Sequence, residues 1–195
     1  NVNNGASVIN LFGGTLRNTA AGNDISMNHN ASRNSFNMIN VLGPTAVLDA
    51  NSGKSLRLTT SGTNVGSVVN LNAGAIVASR VYAGVTWAPS IFNFNGGTLR
   101  ANASRVDFLQ GLTAATVYPG GAVFDTAGSD VAVYQPLLAP IGYGLGYVPL
   151  RSGGTGYVGA PAVLISGGSG TGATAIATVD VTEGSPTKGT VTGIS

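Results

Sequence analysis

His29 is the one histidine in the chain, so a Ser-His-Asp nucleophile would have to use it. It sits in Asn28-His29-Asn30, a polar stretch that reads as an exposed loop, where histidines are commonplace. The acids are Asp24, Asp49, Asp107, Asp125, Asp130, Asp180 and Glu183. Glycoside cleavage uses two carboxylates roughly 5 to 10 Å apart. Asp49 and Asp125 are the pair to weigh, because each closes a short apolar run, Val47-Leu48-Asp49 and Val123-Phe124-Asp125, and neighbouring coils could bring them together. An Asp in that position more commonly caps the turn that follows. We take the turn-capping reading, assign no catalytic residue and expect no enzyme.

Metal and cofactor chemistry find no better footing. Calcium wants several oxygen ligands, mostly carboxylates, and the Gly-Gly-x-Gly-x-Asp repeat that supplies them in some solenoids is absent. Gly128-Ser129-Asp130 reads as a turn. The Gly-rich run 167–172 is not followed by Lys-Ser/Thr, and no helix is predicted there, so it is not a phosphate loop. Cysteine is absent, which excludes a disulfide scaffold and thiolate metal sites. No cofactor or metal is expected. Trp87, Tyr134, Tyr143, Tyr147 and Tyr157 offer either a sugar-stacking surface or seals for the ends of a core. The seal is the preferred reading.

The composition says what kind of scaffold carries these residues. Only 8% of the chain is charged, against roughly 25% in an average soluble domain. Its 30 glycines are about twice the usual share, and Asn, Ser and Thr take the surface role of Lys and Glu. An apolar fraction of 43% with a net charge of +2 argues for a folded chain. The nine Lys and Arg are scattered, leaving no footprint for nucleic acid or an anionic membrane. No apolar run approaches the roughly 20 residues of a membrane helix. The opening at Asn1, with neither Met nor signal peptide, reads as a mature protein or a segment of something longer.

Repeats organise most of the 195 residues. Val8-Ile9-Asn10-Leu11-Phe12-Gly13-Gly14-Thr15-Leu16-Arg17 can be laid on Val68-Val69-Asn70-Leu71-Asn72-Ala73-Gly74-Ala75-Ile76-Val77, and on Ile91-Phe92-Asn93-Phe94-Asn95-Gly96-Gly97-Thr98-Leu99-Arg100. A weaker copy is Met38-Ile39-Asn40-Val41-Leu42-Gly43-Pro44-Thr45. Asn10, Asn40, Asn70 and Asn93 are equivalent, at spacings of 30, 30 and 23 residues. Each copy reads as a strand, a small-residue turn and a second strand. Alternation places Ile9 and Leu11, Ile39 and Val41, Val69 and Leu71, and Phe92 and Phe94 on one face. One such unit cannot bury that face alone, and stacking successive coils does. The fold class expected is all-β: a right-handed parallel β-helix over 1–147, then a small Gly-rich β-module over 148–195. That module is read as three short strands, at 161–165, 173–179 and 189–194. Leu11, Leu71 and Phe94 should share one core, and Asn70 and Asn93 should stack about 4.8 Å apart.

Phe92-Asn93-Phe94-Asn95-Gly96-Gly97-Thr98-Leu99 resembles the autotransporter-associated β-strand repeat of large bacterial surface proteins. So does Gly120-Gly121-Ala122-Val123-Phe124-Asp125-Thr126-Ala127-Gly128, followed by Val131-Ala132-Val133-Tyr134-Gln135-Pro136-Leu137. The tail from Ser152 to Ile194 looks like the Gly-Gly-x-Gly-Tyr module that accompanies such repeats. In the first half, Phe12 stands where the pattern has Asn, and Gly43-Pro44 replaces Gly-Gly. The resemblance implies a β-helix passenger at the cell surface, with adhesive or matrix roles and no catalytic residue.

The function expected is therefore a non-catalytic structural or adhesive segment of a bacterial cell-surface protein or extracellular fibre. A carbohydrate-binding module or phage tail-fibre element is the alternative, and a polysaccharide-degrading enzyme a third. Expected partners are neighbouring repeats or further copies, joined end to end, with surface glycans second. Neither nucleic acid nor direct membrane insertion is expected. The final strand Val191-Thr192-Gly193-Ile194 stops without a polar tail, which reads as continuation in a parent protein.

Overall fold

The computed structural model describes residues 5–20, 22–28, 35–62, 65–141, 148–161, 163, 165 and 175–195. Among them there is no helix. The chain divides into two compact units, Asn1–Pro140 and Ile141–Ser195.

The first unit is a three-sided parallel β-helix. Its first coil holds β1 (Gly5–Leu11), β2 (Thr15–Arg17) and β3 (Ile25–Ser26). The second holds β4 (Ser35–Val41), β5 (Val47–Asp49) and β6 (Leu56–Leu58), and the third β7 (Gly66–Leu71), β8 (Ala75–Ala78) and β9 (Val81–Ala83). β10 (Ser90–Phe94), β11 (Thr98–Ala101) and β12 (Arg105–Gln110) make the fourth. β13 (Ala114–Val117), β14 (Val123–Asp125) and β15 (Val131–Val133) make the fifth, and β16 (Leu137–Leu138) starts a sixth. Equivalent strands pair in parallel. Side A is the six-stranded sheet β1-β4-β7-β10-β13-β16, side B runs β2-β5-β8-β11-β14, and side C runs β3-β6-β9-β12-β15.

The predicted register holds on side A. Asn10 pairs with Asn40, Asn40 with Asn70, and Asn70 with Asn93. It continues to Thr116 and Leu138, so later coils advance by 23 and 22 residues. The shortening falls in the corners: six residues join β5 to β6, while Ser79 and Arg80 alone join β8 to β9.

Alternation sends columns inward on every side: Ile39, Val69, Phe92 and Ala115 on A, Leu48, Ile76 and Leu99 on B, and Leu56, Val81 and Leu109 on C. All are buried in a single apolar cluster with Leu71 and Phe94, against which Leu11 packs half-buried. Phe94 lies 4.6 Å from Phe92 and 5.3 Å from Phe124, ring centre to ring centre. Each such side chain contributes about 1.5–3 kcal/mol on burial.

The A-to-B corner repeats despite its varied sequence. Leu42 and Gly43 N–H both donate to Leu11 O, as Asn72 and Ala73 N–H do to Val41 O one coil on. Gly43-Pro44 keeps this pair of hydrogen bonds in a longer corner: five residues join β4 to β5, where three join β1 to β2, β7 to β8 and β10 to β11. Two glycines are fixed by close approach. A Cβ on Gly43 would lie 1.5 Å from Phe12 O, and one on Gly74, whose φ is 60°, would lie 2.2 Å from Ala46 O.

The second unit contains an antiparallel pair, β17 (Ala177–Val179) and β18 (Val191–Ile194). Three strands were expected. Pro161, Val163 and Ile165 are not in a strand, and 166–174 lie outside the described residues. Gly153 instead lines β18: Val191 N–H donates to Gly153 O at 2.9 Å, and a Cβ on Gly153 would meet Val191 O at 2.3 Å. Tyr157 N–H donates to Gly189 O. The Gly-Gly-x-Gly-Tyr phrase therefore supplies backbone partners to the hairpin.

Candidate functional site

The most regular polar feature is a ladder of asparagines on side A. Asn40 Nδ2 donates to Asn10 Oδ1 at 2.7 Å, Asn70 Nδ2 to Asn40 Oδ1 at 2.7 Å, and Asn93 Nδ2 to Asn70 Oδ1 at 2.8 Å. Asn40, Asn70 and Asn93 are buried. An amide carries both a donor and an acceptor, so each inner member satisfies both along the axis. The ladder stops at Thr116, which replaces Asn in the fifth coil.

The outward column of side B is charged. Arg17, Asp49, Val77, Arg100 and Asp125 stand on successive rungs. Arg17 Nε lies 2.8 Å from Asp49 Oδ2, and Arg100 Nε lies 3.3 Å from Asp125 Oδ2. The other oxygen of each acid caps its turn: Asp49 Oδ1 accepts from Asn51 N–H at 2.7 Å and Asp125 Oδ1 from Ala127 N–H at 2.8 Å. The two acids share a column but stand three rungs apart, about 14 Å at ~4.8 Å per rung. That exceeds the separation of a glycosidase pair.

Side C carries a denser cluster, which sequence reasoning missed. Asp107 Oδ2 lies 2.6 Å from Arg80 Nη1, and its Oδ1 lies 3.0 Å from Arg105 Nε. The Arg80 guanidinium sits 3.6 Å from the centre of the Tyr82 ring, a cation–π contact. The Tyr82 hydroxyl reaches Asp24 Oδ2 at 3.4 Å. Burial raises the Asp107 pKa and is the largest single influence, but hydrogen bonds and charge from Arg80 and Arg105 together outweigh it and hold the carboxyl below its ordinary range. The register of β12 against β15 shifts between Arg105 and Leu109, and Asp107 lies within that stretch. The only sequence signal was Arg105-Val106-Asp107, an ion pair at strand spacing.

A third group closes the C-to-A corner. Asn28 Nδ2 donates to Gly66 O and to Ser67 Oγ, and Asn28 Oδ1 accepts from Ser35 Oγ. Thr59 Oγ1 donates to Pro89 O at 3.0 Å and accepts from Ser67 Oγ at 2.8 Å. Thr59 has φ 33°, a strained value for a β-branched residue, and these bonds hold it there. Gln135 clips the fifth coil to the fourth: its Oε1 accepts from Leu112 N–H and its Nε2 donates to Leu112 O. These hydroxyls and amides saturate one another as a structural corner does.

The remaining sequence candidates are dispersed. Asp24 Oδ1 accepts from Ser55 N–H. Gly128 and Ser129 lie in the turn closed by Ser129 N–H on Thr126 O, and Asp130 follows it, its N–H donating to Ser104 Oγ. Asp180 gathers Ser185 Oγ, Thr187 Oγ1 and Thr182 N–H, which hold its pKa well below the carboxylate range. Glu183 pairs with Lys188. Among the described residues, no three His, Cys, Asp or Glu gather as a metal site. His29, Tyr143, Tyr147 and the run 167–172 lie outside the described residues.

The aromatic expectation needs correction. Trp87 and Tyr134 do not seal the core: they are 60% and 69% exposed, because both stand in corner segments where the chain leaves side C. Tyr157 is exposed as well.

No protein-family model, no curated protein and no solved structure matches the chain.

Proposed function

We propose that the chain is a non-catalytic structural segment of a bacterial surface protein or extracellular fibre, acting as a stiff rod. The observation that carries this reading is the unbroken side-chain ladder Asn10–Asn40–Asn70–Asn93, laid over three continuous parallel sheets. Such a ladder joins each coil to the next in the direction a rod carries load. The acids support the same reading, since Asp49, Asp107 and Asp125 all serve ion pairs and turns. A surface of Asn, Thr and Ser and the resemblance of Phe92–Leu99 to autotransporter-associated repeats support an extracellular setting. Pulling the chain along the helix axis tests the mechanical role. Unfolding should proceed coil by coil, in contour steps of about 75–100 Å for 22 to 30 residues. Collapse in one low-force event would contradict it.

An adhesive role is the second reading, and the exposure of Trp87 and Tyr134 favours it. Aromatic rings held outward on a rigid support stack well on sugar rings. Loss of glycan-array binding on Trp87→Ala, with no loss of stability, would support this role. No glycan binding by the unaltered chain would remove it.

A further inference from the structure

We propose that the two ends of the β-helix are complementary, and that the chain stacks head to tail on a second copy of itself, the first coil of one copy displacing β16 of the other. This inference rests on reading the chain as a structural rod and names the rod's partner.

Large apolar side chains are exposed at both ends of the helix. Ile9 and Leu16 are exposed in the first coil, while Ile39 and Leu48, their neighbours one rung inward, are buried. At the other end Val123, Val133, Leu137 and Leu138 are exposed. β14 and β15 are terminal strands of sides B and C, so among the described residues one edge of each has no strand beside it. Such edges recruit strands.

Continuing the observed columns by one rung shows what would meet. On side B, Leu16 of the second copy falls on Phe124, extending the inward column Leu16-Leu48-Ile76-Leu99-Phe124. Arg17 falls on Asp125, so the outward column that begins with a cation and ends with an anion meets itself with opposite charge. Both side chains are about half exposed, and the new contact would extend the pairs each already makes, Arg17 with Asp49 and Asp125 with Arg100. On side C, Ile25 falls on Val133, extending Ile25-Leu56-Val81-Leu109-Val133.

Side A decides the mechanism. Only Phe12, Gly13 and Gly14 separate β1 from β2, so β2 can reach β14 only if β1 takes the rung that β16 occupies. β16 is a weak occupant: two exposed residues, paired with Ala115 and Thr116. β1 offers seven residues in its place. Its Ile9 would cover Ala115, and its Asn10 would stand over Thr116, carrying the amide ladder on to a hydroxyl. The contact is heterologous and does not close, so it propagates as a filament, with strand addition supplying the backbone bonds.

The chain has no cysteine, which makes engineered pairs unambiguous. Thr15 and Val123 share a column but stand four rungs apart, about 19 Å, too far for a disulfide within one chain. Between stacked copies they become neighbours. Mild oxidation of Thr15→Cys/Val123→Cys should give a ladder of disulfide-linked oligomers, where either single variant stops at dimers. In Thr116→Cys/Leu138→Cys a disulfide would pin β16 to β13. That chain should remain monomeric by light scattering when oxidised and assemble once reduced. No species beyond those of the single variants, or equal assembly by the oxidised and reduced locks, would overturn the proposal. A monomer that still unfolds coil by coil under load would overturn only the stacking. An assembling chain that bears no load would instead refute the rod.

Discussion

Replacing Asn70 by Leu tests what the ladder contributes. Asn70 is 3% exposed, donates to Asn40 and accepts from Asn93. Leu nearly preserves the volume but leaves Asn40 Oδ1 and Asn93 Nδ2 without these partners in a buried place. Each orphaned group costs about 1–3 kcal/mol, or about 2–6 together. The apolar side chain returns about 1.5–3 kcal/mol of transfer free energy. The midpoints of the two ranges differ by about 2 kcal/mol, so the net loss expected is about 1–3 kcal/mol. At about 2–4 °C per kcal/mol for a unit of this size, the melting temperature should fall by about 2–12 °C. Circular dichroism melts and denaturant titration of the whole chain read this directly. Asn10→Leu, at the half-buried head of the ladder, should cost less. Converting all four asparagines to Leu should cost less than the sum of the four single changes, because the partners vanish together. An Asn70→Leu chain as stable as the original, or strict additivity across the set, would refute the ladder as a source of stability.

Gly74→Ala should destabilise by at least about 2 kcal/mol, since the methyl both collides with Ala46 O and sits at positive φ. Gly14→Ala, at φ 71° but facing open space, should cost only about 1–2 kcal/mol. Thermal melts of the two variants give the comparison. The folded-state pKa of Asp107 is lowered, so its contribution is present above the unfolded value of about 3.9 and is lost as pH falls through the lower folded value. Asp107→Asn should therefore be less stable than the original chain at pH 7, by about 1 kcal/mol or less, and the gap should close below about pH 4 in paired denaturation curves. Trp87→Ala and Tyr134→Ala should each change stability by less than about 0.5 kcal/mol, as exposed positions do. A larger loss in chemical denaturation would return these rings to the core.

The sequence disclosed sides A and B because their positions are chemically constrained. Inward positions on these strands must be apolar, the Asn column must pair with itself, and the corner between them carries at least one glycine. Those demands recur in Val8–Arg17, Val68–Val77 and Ile91–Arg100 as a visible phrase. Side C left no comparable trace. Ile25-Ser26, Leu56-Arg57-Leu58 and Val81-Tyr82-Ala83 are too short to show a period, and the corners beside them vary from two to eight residues. The fifth coil carried no Asn to mark its register, since Thr116 stands there. Asp49 and Asp125 were correctly read as turn caps, because the cap is local. The Asp107 cluster depends on Arg80 from the previous coil, which spacing along the chain does not reveal. The exposure of Trp87 and Tyr134 followed from corner geometry that an aromatic count cannot supply.

The central claim is that successive coils stack in register as one three-sided helix. Spin labels at positions 17 and 125 measure it most directly, with labelled protein diluted into an excess of unlabelled chain so that only intramolecular distances register. The two sites lie on one side-B column, four rungs apart. A single narrow distance distribution corresponding to a backbone separation of about 19 Å is the predicted result. A broad distribution, or one centred beyond about twice that distance, would contradict the stacked helix.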